Sequence, residues 1–198
     1  MKDKKLLSDI KEYLKCYENQ VLEDWYELIR HISVSETGEG IETCCDWIQK
    51  KMEEIGIQVT KYSVKPAPVL VGRFGNDPEK KTVLIYAHYD VKPAGERKLW
   101  HSDPFVPTVR DGKVYARGSA DNKSPLMAHL KALEYFIRRK MEVPVNVIFV
   151  FEGDEECGSR GLEEFLAEHR TELAADLVFF SDGPKDPSGL PIIALGAK

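Results

Sequence analysis

Three apolar runs, each about as long as one strand and each followed at once by acidic groups or a histidine, constrain this chain most. Thr82-Val83-Leu84-Ile85-Tyr86-Ala87 leads into His88-Tyr89-Asp90. Val145-Asn146-Val147-Ile148-Phe149-Val150-Phe151 leads into Glu152-Gly153-Asp154-Glu155-Glu156, and Asp176-Leu177-Val178-Phe179-Phe180 into Ser181-Asp182-Gly183. Continuous rather than alternating apolar sequence is the pattern of strands covered on both faces. Between the first two runs, Pro125 and the periodic Leu126, Leu130, Leu133 and Phe136 predict a helix of about four turns, at ~3.6 residues per turn. Buried strands alternating with helices predict an α/β fold, with a mixed, largely parallel sheet flanked by helices.

The remainder fits that frame. Leu6, Ile10, Tyr13, Leu14, Tyr17, Val21, Leu22, Trp25, Leu28 and Ile29 recur at helical spacing and predict one or two amphipathic helices. Ile41, Cys44, Trp47, Ile48, Met52 and Ile55 form another helical stripe, with Gly56 where a helix usually ends. Strands are expected at 57–64 and 69–74. With 198 residues and 42% hydrophobic content, the chain can bury a sizeable core. A formal charge of −5 and the lack of a long basic run argue against nucleic acid and anionic membrane as partners. No run reaches the ~18 apolar residues of a spanning helix, and the charged start has no signal-peptide core, so a cytoplasmic location is expected. Cys16, Cys44, Cys45 and Cys157 have neither zinc-finger nor redox spacing and read as reduced thiols.

The chemistry lies after the strands. In open α/β sheets ligands bind beyond the carboxyl ends of the strands, so the imidazole and carboxylates there are placed to converge on one rim. Asp121, just ahead of the predicted helix, is a fourth contributor. Each feature has a plainer reading: Glu155-Glu156 as a solvated pair, Asp121 as a helix cap, Asp182-Gly183 as a turn. Taken together they favour a cation site, because clustered carboxylates repel one another unless a cation neutralises them. Histidine with carboxylates suits zinc first, with manganese or cobalt as alternatives.

Three segments resemble the metallopeptidase family of carnosinases, cytosolic non-specific dipeptidases, glutamate carboxypeptidase, aminoacylases and succinyl-diaminopimelate desuccinylase. They are YAHYDVKPAG from Tyr86, LWHSDPFVPTVRDGKVYARGSADNKSPL from Leu99 and EGDEECGSRGL from Glu152. The second is most similar to the dipeptidase branch. The resemblance implies a zinc-exopeptidase-like catalytic domain with two divalent metal ions. In it, His88 and Asp182 would hold one ion, Glu156 the other, and Asp121 would bridge them. It assigns catalytic roles to Glu155, as general base, and to Asp90, which would hold the His88 ring in the metal-binding tautomer. It also implies a cis peptide at Asp121-Asn122.

Relatives complete the second ion with a histidine much further along and insert a lid or dimerisation domain. Residues 1–190 are therefore expected to be the amino-terminal part of the catalytic domain, and 191–198 the start of that insertion, with a homodimer in the full-length protein. The expected activity is hydrolysis of the amide bond of dipeptides or short peptides. The alternatives are an N-acyl amino acid deacylase or desuccinylase, or a catalytically incompetent metal-binding fragment. His101 is a weaker candidate ligand, while His31, His129 and His169 read as packing or surface residues.

Overall fold

A computed structural model describes residues 2–183 and Ser188. The amino-terminal stripe forms one continuous helix, α1 (Lys2–Arg30), and the next forms α2 (Ile41–Glu54). Strands β1 (Gln58–Tyr62), β2 (Val69–Phe74) and β3 (Thr82–His88) follow. A short hairpin, β4 (Thr108–Arg110) and β5 (Lys113–Tyr115), precedes α3 (Lys123–Arg138). The described chain finishes with β6 (Asn146–Glu152), α4 (Leu162–Glu168) and β7 (Leu177–Phe180).

The main sheet has the order β1-β2-β6-β3-β7. The first two ladders, β1 with β2 and β2 with β6, are antiparallel. β6, β3 and β7 run parallel, so the three strands that precede the candidate ligands all end on the same side. Alternation along β6 divides the core: Val147, Phe149 and Phe151 pack with α2 and α3, while Ile148 and Val150 pack with Phe165 of α4. Helices thus cover both faces, and every residue of β6 is buried, as its unbroken apolar sequence requires. At Gly72 in β2 a Cβ would lie 2.2 Å from Met52 Cε, so the close seating of α2 on the sheet depends on the missing side chain.

β7 departs from expectation. Its sequence has the texture of a strand covered on both faces, yet all four residues are exposed. It is an edge strand paired only with β3, and among the described residues no strand lies along its other side. The expected start of an inserted domain at 191–198 lies outside the described residues.

Candidate metal centre

Parallel pairing of β3 with β6 sets His88 opposite Glu152, and Tyr89 N–H continues the ladder by donating to Glu152 O at 2.8 Å. The loop after α1 supports the extension: Val91 N–H donates to Ser33 O, and the Ser33 hydroxyl donates to Tyr89 O at 2.6 Å. Both strand ends are thereby fixed before any ligand is considered. On the β6 side, Asp154 accepts the backbone N–H and guanidinium of Arg160 and shapes the tight turn that carries Glu155 and Glu156. Asp154 is thus a builder of the loop rather than part of the cluster.

Asp90 joins the two strand ends. Its carboxylate is fully buried, Oδ1 accepting the Glu155 N–H and Oδ2 the Glu156 N–H, each at 3.1 Å. His88 Nδ1 lies 3.1 Å from Asp90 O and 3.3 Å from Asp90 Oδ1. Oxygens of this kind only accept, so Nδ1 keeps its proton, and Nε2 is the ring atom left to bind a cation once the ring gives up its second proton.

That Nε2 atom is buried and, among the described residues, makes no well-aligned hydrogen bond. It lies 3.0 Å from Asp121 Oδ1, 3.4 Å from Asp182 Oδ2 and 3.7 Å from Glu155 Oε2. Ligand atoms of His88, Asp121 and Asp182 all fall within 4.8 Å of one another. A buried imidazole nitrogen without a partner, facing two carboxylates, is a donor set that fits a divalent cation such as zinc. Asp121 arrives from the start of α3 through a cis Asp121-Asn122 peptide, and Asp182 from the end of β7.

Glu156 stands apart from this trio. Its carboxylate pairs with Lys92 Nζ at 3.0 Å, while the same ammonium donates to Glu156 O at 2.9 Å. Glu155 reaches toward His88 and Glu156 toward Lys92, both from a one-turn 3-10 segment beyond β6 rather than from the strand end itself. His101 is exposed in the loop ahead of β4. His31 stacks on Trp47, and His169 packs on Tyr62 and Phe165. His129, by contrast, is no mere packing group: Nε2 lies 2.8 Å from the hydroxyl of Ser181, the residue before Asp182.

The charges respond to the crowding. Burial works against a charged His88, but hydrogen bonding and attraction to Asp90, with Glu155 and Asp121 nearby, raise it to about 9. Burial, then the charge of Glu156, pushes Asp121 up. Glu155 is raised by burial and by Asp182 and Glu156. Asp90 moves the other way: burial opposes its charge, yet hydrogen bonds from His88 and Ser35 hold it below the usual carboxylate range. A site whose acids resist ionisation while its histidine holds a proton is short of positive charge.

Comparison with known proteins agrees. The profile of Peptidase family M20/M25/M40 matches residues 84–194, more than half of the chain. The chain belongs to this family. Within it, Cys-Gly metallodipeptidase dug1 of Schizosaccharomyces pombe is 43% identical over 147 residues, covering 69% of this chain and 31% of that protein. Beta-Ala-His dipeptidase of Mus musculus is 41% identical over 117 residues, 58% of this chain and 24% of the enzyme. Among solved structures, human carnosine dipeptidase 1 superposes with a TM-score of 0.85 at 29% identity, over 89% of this chain and 41% of its own. The M20 metallo-carboxypeptidase Sso-CP2 of Sulfolobus solfataricus gives 0.81 at 36% identity, over 85% and 38%. The chain thus spans about a quarter to a third of the length of these curated relatives. Their names match the dipeptidase branch to which the motifs point.

Proposed function

We propose that this chain carries the ligand-bearing core of a zinc metallopeptidase that hydrolyses the amide bond of dipeptides or short peptides. The observation that supports it most directly is the partnerless, buried Nε2 of His88 facing Asp121 and Asp182. These three residues would hold one ion; Asp121 and Glu156 would contribute to a second. Residues 1–190 would accordingly be part of a catalytic domain that other segments of the whole protein complete.

A divalent ion bound there would supply the positive charge that activates a water and polarises the scissile carbonyl. The remaining work belongs to the chain. Asp90 fixes the His88 ring and, through the two backbone N–H groups, the Glu155-Glu156 turn. Glu155, 36% exposed and 3.7 Å from His88 Nε2, reaches both the cluster and solvent, as a group that accepts a proton from water and returns it to the leaving amine must do. Its raised pKa brings it toward the working pH, where a general base is most effective.

Replacing Glu155 by Gln should lower dipeptide turnover by the zinc-loaded full-length protein by about 10²–10⁴ while leaving zinc binding intact. Full turnover by Glu155→Gln would remove the assigned base. A second reading has its own support, since Glu156 is engaged by Lys92 and the three-residue cluster is the better formed. On that reading the 198-residue chain alone binds one ion and cleaves nothing. Chelator-sensitive peptide hydrolysis by the purified chain, abolished by Asp121→Ala, would refute it.

A further inference from the structure

β7 poses a problem of placement. It delivers Asp182 to His88, yet Leu177, Val178, Phe179 and Phe180 are 54%, 48%, 44% and 61% exposed. His88, its counterpart on β3, is fully buried, and Asp90 holds its ring. An edge strand with so little packing is expected to open readily, which is a poor foundation for a ligand that must stay within a few tenths of an ångström.

Two side chains, one at the N-cap of α3 and one within it, make up the deficit. Asn122 Nδ2 donates to Ser181 O at 3.1 Å, and His129 Nε2 meets Ser181 Oγ at 2.8 Å. The His129 ring also stands edge-on to Phe179, with centroids 5.5 Å apart. His129 follows Asn122 by about two helical turns, at ~3.6 residues per turn, so both reach β7 from one face of α3. The residue before Asp182 is thereby held through its carbonyl and its hydroxyl together.

Asn122 carries the signature of diversion to this task. It occupies the N-cap position of α3, where an asparagine side chain ordinarily accepts a helix N–H. Here it makes no capping bond; it is fully buried, and among the described residues its Oδ1 has no partner and its side chain bonds to Ser181. Asn122 also directly follows Asp121, so the start of α3 bears one carboxylate of the cluster and grips the strand that bears another.

We propose that Asn122 and His129 are positioning residues that clamp Ser181 and so set the Asp182 carboxylate against His88 and Asp121. The inference rests on the metal-site reading above. Neither residue touches the ion's ligand atoms; both act through the backbone that leads into one of them.

The test uses the 198-residue chain and cobalt(II), read by its dissociation constant and visible absorption bands, with folding checked by circular dichroism. His129→Ala should weaken cobalt binding by about 10–100-fold and alter the bands. His129→Gln, which keeps an amide within reach of Ser181, should recover most of the loss. Ser181→Ala removes the hydroxyl from the other side. It should weaken binding similarly and add little to His129→Ala, since the two variants break one contact. Leu133→Ala, a core change in the same helix, should lower thermal stability and leave affinity and spectrum alone. Wild-type affinity and spectrum in both His129→Ala and Ser181→Ala would overturn the clamp while leaving the metal reading intact. A wild-type chain that binds no cobalt, or an Asp182→Ala variant that binds it normally, would overturn the metal reading at Asp182 and the clamp with it.

Discussion

Asp90→Asn isolates the buried carboxylate that ties the two strand ends together. The substitution keeps shape and volume but replaces one acceptor oxygen by a donor. If the new amide group takes the Oδ1 position, it faces both the Glu155 N–H and His88 Nδ1. If it takes the Oδ2 position it opposes the Glu156 N–H and leaves His88 Nδ1 and the Glu155 N–H with their acceptor, so that orientation is favoured. One charge-assisted bond, about 1.5–3 kcal/mol, is lost, and a backbone donor is left facing another donor. The net cost is about 2–4 kcal/mol, a large part of a domain's stability of roughly 5–15 kcal/mol. Urea unfolding of the metal-free chain measures it directly.

The pH dependence provides a second check. Asp90 is held below its ordinary value of 3.8, so its contribution is fully present above that pH and is lost as pH falls through the lower, folded value. The wild-type chain should lose this part of its stability on acidification, and Asp90→Asn should lack it. Zinc binding should also weaken by about 10–100-fold, because the His88 ring loses part of its support. An Asp90→Asn chain with wild-type stability at pH 7 and wild-type zinc affinity would refute the reasoning.

Further outcomes follow from the same geometry. A Cβ at Gly153 would lie 2.5 Å from the ring and hydroxyl of Tyr89, which is fully buried and donates to Pro68 O. Gly153→Ala should therefore cost about 1–3 kcal/mol in urea unfolding, and a neutral result would mean that the ring is free to move. In the metal-free chain His88 is raised to about 9 from 6.5, so the stability it contributes is complete below 6.5 and disappears as pH rises through about 9. The loss is on the order of 3 kcal/mol, and His88→Asn should abolish that slope. For the same reason, zinc binding at pH 7 should release about one proton from this ring, measurable by calorimetry in buffers of different ionisation enthalpy.

Much of this architecture was legible because periodicity and strand-end chemistry are local. The unbroken apolar run of β6 and the stripe of α3 each specify burial over several consecutive residues, and both form as expected. The hairpin of β4 and β5 went unread, since three-residue strands carry little pattern; the Asp111-Gly112 pair between them, both at positive φ, was the available signal. α4 is likewise too short, at seven residues, to display a period. For β7 the composition implied cover on both faces, but cover depends on neighbours that a strand's own residues do not encode. Lys92 beside Glu156 and His129 beside Ser181 are contacts between distant segments, and no local spacing announces them.

The exposed flank of the sheet has a consequence for how folding and loading are related. An ion shared by His88, Asp121 and Asp182 would rivet β7 to β3 and α3 as well as serve chemistry. At a hundredfold excess over its dissociation constant, a cation adds about 2.7 kcal/mol to whichever state binds it. For a strand as thinly packed as this one, that increment can decide between open and closed. Removing the ion would then free one margin of the molecule first, while the interior built on β6 stays whole.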